Sequence, residues 1–210
     1  LLDLSQFKHF YNKIINYIKH NKNIYNIIAI NNEFNKLFNK YENVNISIPR
    51  TVVISTEVFD QFIETHRLIK FAAESNNDDD ILNEFISKDL PEWAVKDVRA
   101  FLKTTKSPIA IRSSSMLEDS NYQPSAGIFA TYMVPNSEIS KMVEMVSNAI
   151  KSVIASAFFQ SSKLYLKATS HTIEEDKMAV ILQEVIGKQY EDVYYPNISG
   201  VARSINFYPI

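Results

Sequence analysis

An α+β fold, a mixed sheet with flanking helices, is what this sequence predicts, and three observations carry the prediction. Of 210 residues, 46% are hydrophobic, enough to bury the core of one sizeable domain or of two lobes. Short β-branched or apolar runs bounded by turn residues read as buried strands. Between them, apolar residues recur three and four apart, the spacing that gathers them on one face of a helix.

The elements follow in chain order. Phe7, Phe10, Ile14, Ile15 and Ile18 keep helical spacing in an Asn-, Lys- and Ile-rich opening, and Phe34, Leu37, Phe38 and Tyr41 repeat it, so residues 1–45 are expected to form a helical segment. After Pro49, Thr51-Val52-Val53-Ile54-Ser55 reads as a short strand. Thr56 is placed to cap a helix carrying Val58, Phe59, Phe62 and Ile63, with Glu57 and Asp60 in its first turn. Ser75 to Asp80 is the most polar stretch; lacking the alternating ligands, glycine and distal glutamate of a calcium hand, it reads as a solvated loop and helix start. Ile81, Leu82, Phe85 and Ile86 form the next helical face, Leu90-Pro91 breaks it, and Trp93, Val95, Val98, Phe101 and Leu102 mark another helix.

Ile109-Ala110-Ile111 is a strand that runs straight into Arg112-Ser113-Ser114-Ser115. The turn-rich Met116 to Ser125 leads to a second strand, Ala126 to Val134, and then to a long helix over roughly Ser137 to Phe159, with Met142, Met145, Val146, Ala149, Ile150, Val153 and Ile154 inward. Met178 to Ile186 and Val201 to Tyr208 are the last strands. The chain opens without Met and stops at the apolar Phe207-Tyr208-Pro209-Ile210, as if cut through an element, so it is read as a fragment, incomplete at both ends.

Composition excludes several functions. Against 24 Asp+Glu stand 22 Lys+Arg, a net charge of -2, so no whole-chain field gathers nucleic acid and any anion site must be local. The absence of cysteine excludes disulfides, thiolate metal sites and a cysteine nucleophile, and is compatible with a reducing, cytoplasmic setting. Asp3 interrupts what would be a signal-peptide core, and no window approaches the roughly 20 unbroken apolar residues of a membrane span, so no membrane partner is expected. Three glycines leave little material for glycine-rich phosphate loops. His9, His20, His66 and His171 are scattered, without an i, i+4 pair for a metal, and read as surface residues. Tyr190, Tyr194 and Tyr195 beside Pro196 read as core packing at a turn, with base stacking as the alternative.

Chemistry concentrates at Arg112. A guanidinium directly after a buried strand either pairs with a carboxylate, Glu118 and Asp119 being near in sequence, or meets an anion from outside. The residues alone leave both open, because serine-rich turns also cap helices. The place itself, the C-terminal end of a strand, is one that ligands favour in α/β folds.

The longer string Ile109-Ala110-Ile111-Arg112-Ser113-Ser114-Ser115-Met116-Leu117-Glu118-Asp119, followed by Ala126-Gly127-Ile128-Phe129-Ala130-Thr131-Tyr132, resembles the nucleotide-binding domain of the phosphoenolpyruvate synthase and pyruvate phosphate dikinase family. That family's pattern is an apolar strand, Arg-Ser-Ser, a Glu-Asp pair, then Ala-Gly and a Thr four residues on. Three further blocks agree in order. Ile48-Pro49-Arg50-Thr51-Val52-Val53-Ile54-Ser55-Thr56 resembles its Val-Pro-Pro-Gly-Phe-Val-Ile-Thr element, Met178-Ala179-Val180-Ile181-Leu182-Gln183-Glu184 its Met-Ala-Val-Val-Val-Gln strand, and Ser199-Gly200-Val201 its Ser-Gly-Val turn.

The resemblance implies an ATP-grasp-like nucleotide-binding domain over residues 46–210, truncated at its C-terminus, behind a divergent helical segment of residues 1–45. Enzymes of that family pass phosphate from ATP through a histidine on a separate swivelling domain to pyruvate or a related acceptor. ATP and magnesium are therefore the implied cofactors, and the acceptor and the phosphohistidine domain of the same protein the implied partners. Carried over residue by residue, Arg112 is the catalytic, phosphate-contacting arginine, Gly127 and Thr131 line the triphosphate, and Gln183 and Glu184 sit by the nucleotide. There the strand is expected to offer adenine a dry wall with backbone donors at Glu184 and Val185. The magnesium ligands are expected beyond residue 210, and the fragment alone is expected to be inactive. The family's Gly-Gly-Lys loop corresponds to Asn21 to Asn32, which holds no glycine, with Lys22 the candidate for its lysine. That departure favours an alternative reading, a degenerate non-catalytic nucleotide-binding or regulatory module; another alternative keeps the fold with a glucan or an antibiotic as acceptor.

Overall fold

The computed structural model describes residues 49–115, 129–169 and 177–200. The chain divides into two compact units, Ile48–Val185 and Leu1–Ser47 with Ile186–Ile210. In the first unit the order is β1 (Thr51–Ile54), α1 (Thr56–His66), α2 (Leu68–Glu74), α3 (Asp78–Ile86), α4 (Glu92–Leu102), β2 (Ile109–Ser114), β3 (Thr131–Val134), α5 (Ile139–Ser156), α6 (Gln160–Thr169) and β4 (Ala179–Glu184).

The four strands lie in the order β1-β4-β2-β3, and every neighbouring pair is antiparallel. The expected mixed sheet is thereby corrected for the described strands. β1 and β2 do run in the same direction, but β4 lies between them and pairs with both. An antiparallel sheet can keep one face on the core and the other out of it, and in this one the second face carries the exposed Arg112, Thr131 and Met133. Val52, Ile54, Ile109, Ile111, Val134, Val180 and Leu182 are buried on one side.

Helices cover that side. α5 lies on β2, β3 and β4, and α3 and α4 pack on α5. Its inward Val146, Ile150, Val153 and Ile154 are fully buried. The stretch Ile139–Lys167 is long and apolar enough to cross a membrane by composition, yet 72% of its apolar window is buried inside the protein, so its hydropathy is that of a core helix. Four phenylalanines fill the space beyond the sheet: Phe85 lies 5.9 Å from Phe62 and 5.5 Å from Phe158, which stacks on Phe59 at 6.3 Å.

Several boundaries differ from expectation for identifiable reasons. Ser55, not Thr56, takes the cap position of α1, and no side chain caps it. α2 follows α1 after a single residue, Arg67 in the left-handed region at φ 53°, and a helix of seven residues leaves little periodic signal. β2 continues through Arg112 and Ser113 to Ser114, because pairing with β4 overrides the turn preference of serine. The strand expected over Ala126 to Val134 is described as β3 from Thr131, and the strand expected over Val201 to Tyr208 lies outside the described residues.

In the second unit, the described residues form a hairpin of β5 (Lys188–Tyr190) and β6 (Val193–Tyr195). Its turn, Glu191-Asp192, carries the positive φ at Glu191 and no glycine, so the usual hairpin signal was missing. Tyr190 and Tyr195 stack on each other at 4.4 Å while remaining 36% and 46% exposed, which corrects the expectation of core packing there. Gly187 is required by space, since a Cβ would stand 2.7 Å from the carbonyl carbon of Tyr195.

Helix α3 is held at both ends by polar contacts. Asn77 accepts a hydrogen bond from the Asp79 amide at 2.9 Å, and Asp78 Oδ1 accepts from the Gln160 amide at 2.9 Å, which caps α6. At the other end the buried Lys151 donates to Ile86 O at 2.6 Å and Lys88 O at 3.0 Å, satisfying carbonyls that a helix end leaves unpaired. Burial pushes the Lys151 ammonium below its ordinary 10.5, with nearby Asp89 opposing the shift.

Lys151→Met should lower the unfolding free energy by about 1–3 kcal/mol, the cost of leaving those carbonyls unpaired. A folded-state value below 10.5 means that just beneath that pH the unfolded chain holds the extra proton, so unfolding becomes harder as pH rises through the interval. Urea titrations should therefore show the stability difference between the unsubstituted chain and Lys151→Met widening as pH approaches 10.5; a constant difference would contradict it.

Candidate functional site

The open side of the sheet is built by the same alternation that builds the core. Ile109 and Ile111 are fully buried and Ser113 nearly so, which places Ala110, Arg112 and Ser114 on the opposite face, where Arg112 is exposed, Ser114 half-buried and Ala110 still buried. The pairing registers then line up two rows across all four strands. One row is Val53, Ile181, Arg112 and Thr131; the other is Thr51, Gln183, Ala110 and Met133. Two residues of strand separate the rows, roughly 6.5–7 Å.

Arg112 and Thr131 are direct partners across β2 and β3, so their Cβ atoms lie about 4.5–5.5 Å apart on one face. Both side chains are exposed, and among the described residues no carboxylate pairs with Arg112. Its sequence neighbours Glu118 and Asp119 lie outside the described residues, as does Gly127. The start of β3 is fixed where the Ala130 amide donates to Ser156 Oγ at 3.2 Å, at the end of α5. Of the three serines after Arg112, Ser113 and Ser115 are buried, and the hydroxyl of Ser114 lies on the face of Arg112.

Gln183 stands in the second row and does not hang free. Its Nε2 donates to Thr51 Oγ1 at 2.9 Å, and Thr51 Oγ1 donates in turn to Pro49 O at 2.9 Å. Glu184, one residue on, alternates to the other side, where its carboxylate lies 3.7 Å from Arg50 Nε. Arg50 also donates through Nη1 to Thr104 O, tying the end of α4 to β4. The backbone donors expected for adenine need correction. The Glu184 amide donates to Arg50 O and the Val185 amide to Pro108 O, each at 2.9 Å, because β4 is paired on both edges.

Thr51 and Arg50 are the site-shaping residues that the sequence reading passed over. The signal was present, because they stand where the resembling family's Val-Pro-Pro-Gly-Phe element has its second proline and its glycine. Lys22, His9, His20 and His171 lie outside the described residues. His66 sits at the end of α1, with Nε2 2.9 Å from Asp89 O and its ring against Phe62, which is a structural setting. Among the described residues no group of three or more His, Asp or Glu side chains gathers to hold a metal.

The family model for the pyruvate phosphate dikinase AMP/ATP-binding domain matches residues 30–209. No curated protein matches the sequence.

The two faces make opposite demands on a charge. Ser113→Asp places a carboxylate in the core and should cost more than about 2 kcal/mol of stability, whereas Ser114→Asp should cost little. Thermal melts of the two variants read this directly, and equal losses would contradict the face assignment.

Proposed function

Because this chain belongs to the pyruvate phosphate dikinase AMP/ATP-binding domain family, we propose that the open face of its sheet is where ATP is held for a dikinase-type phosphotransferase. The observation that carries the reading is the direct pairing of Arg112 with Thr131 on the exposed face, with no carboxylate among the described residues to neutralise the guanidinium. A planar guanidinium presents a fork of donors that fits phosphate oxygens, and the adjacent hydroxyl adds a further donor. Along the other row, the exposed Met133 offers apolar surface and Gln183 a polar edge, the combination that a purine base requires.

In this reading ATP-grasp-like architecture orients the nucleotide, and the phosphoryl group leaves ATP for a histidine of another domain as an N–P bond forms and a P–O bond breaks. The phosphohistidine then passes it to pyruvate or a related acceptor. Arg112 contributes electrostatic stabilisation of the charge on the transferring group. Gly127 lines the triphosphate, as the resemblance has it. Glu184, held by Arg50, fixes the end of β4 beside Gln183. Magnesium, when bound, neutralises phosphate charge; among the described residues no group of three or more His, Asp or Glu side chains gathers to hold it. A cysteine-free chain using ATP fits a cytoplasmic setting.

Calorimetric titration with ATP tests the reading. With no glycine in residues 21–32, the donors of a glycine loop are missing, and the unsubstituted chain should bind ATP with a Kd on the order of 100 μM or weaker. Arg112→Ala should weaken binding further by about 1.5–3 kcal/mol, the range for hydrogen bonds to charged groups. Unchanged affinity would make Arg112 structural and remove the assignment.

A further inference from the structure

The hydrogen-bond chain Gln183–Thr51–Pro49 has a direction. Pro49 O can only accept, so the Thr51 hydroxyl hydrogen points to it, at 2.9 Å. Thr51 Oγ1 is left as an acceptor toward Gln183 and is met by Nε2 at 2.9 Å. The carboxamide oxygen of Gln183 is thereby turned away from Thr51. A flipped amide would either set two oxygens against each other at that distance or draw the Thr51 hydroxyl away from Pro49 O, so the flip that lets an unrestrained glutamine serve either donors or acceptors costs a hydrogen bond here.

We propose that Thr51 is a specificity-determining residue of the site, holding Gln183 with its carboxamide oxygen toward the ligand so that a purine with an exocyclic 6-amino group is accepted and one with a 6-oxo group is refused. This rests on the nucleotide-binding reading above. A nucleotide whose phosphates meet Arg112 and Thr131 can lay its base over the neighbouring row, since Gln183 and Arg112 are one strand and two residues apart, about 8 Å between Cα atoms. The 6-amino group of adenine donates to the fixed oxygen. The 6-oxo group of guanine meets it acceptor to acceptor, and that unpaired contact is the repulsive element that selectivity requires. Thr51 touches neither phosphate nor base; it acts through Gln183 and is a positioning residue. A glycine at this place, as in the resembling family's element, has no hydroxyl and leaves the amide free to turn.

The test is a pair of titrations, ATP and GTP, on the 210-residue chain, on Thr51→Val and on Thr51→Ser, with folding followed by circular dichroism. The unsubstituted chain should prefer ATP about tenfold or more, the lower part of the range for a base discriminated by hydrogen bonds. Thr51→Val keeps the shape and strand propensity and removes both hydrogen bonds, so the preference should fall to within about twofold, while Thr51→Ser should restore it. If the valine variant does not fold, Gln183→Leu, which removes the amide and leaves Thr51 bonded to Pro49, should lose the same preference. ATP binding with an unaltered ATP-to-GTP ratio in Thr51→Val, or in Gln183→Leu where that variant is used, overturns this inference alone. An unsubstituted chain that binds neither nucleotide overturns the functional reading and the inference with it.

Discussion

The period of two in β2 and β4, held in phase by the core, is the constraint on which the rest of the structure depends. Ile109, Ile111, Val180 and Leu182 are buried beneath the helices, and their partners in alternation, Arg112, Ser114, Ile181 and Gln183, have no other side to occupy. A slip of one residue would send the Arg112 guanidinium into that apolar layer, at a cost of several kcal/mol for an unpaired buried charge. Hydrophobic packing therefore selects the phase, and the polar face inherits its chemistry. Because β4 is paired on both edges, it also decides that Gln183 meets Thr51 on one side and stands level with Ala110 on the other.

Polar contacts at the ends of elements hold this arrangement still. Arg50 links the carbonyl of Thr104 to the carboxylate of Glu184, and the Ala130 amide is anchored on Ser156 before the strand that carries Thr131 begins. Lys151 closes the end of α3 from α5, and Lys163 donates to Ser75 O at 2.6 Å from α6. Burial depresses the Lys163 ammonium, with Asp78 opposing and Lys167 reinforcing the shift. Side chains carried on strands braced in this way hold their positions better than side chains on loops, which suits the proposed role of this face, with phosphates at one row and a base at the other.

What the sequence disclosed follows the reach of each interaction. β1, β4 and the helices α1, α3, α4 and α5 were legible because their apolar residues repeat locally, at period two or 3.6. The antiparallel order of the described strands was not, since the insertion of β4 between β1 and β2 depends on pairings such as Ser114 with Ala179 and Thr51 with Gln183, far apart in the chain. Arg112, Thr131 and Gln183 were named from the resemblance, but their meeting on one face emerges only from the register. Thr51 showed only its departure from the resembling family's glycine, since a β-branched residue at the head of a strand gives no sign that its hydroxyl bridges Pro49 and Gln183. The amides of Glu184 and Val185 were misjudged because a strand read alone shows its donors as free.

Methionine methyl resonances give the most direct test of the central claim that the open face receives the nucleotide. Met133 lies on that face at 65% exposure, whereas Met142 and Met178 are buried in the core at 2% and 1%. With the methionine methyl groups labelled with carbon-13, ATP should shift the Met133 signal progressively and leave those of Met142 and Met178 in place. Saturating ATP that moves the core signals and not Met133, or moves none of the three, would contradict the account.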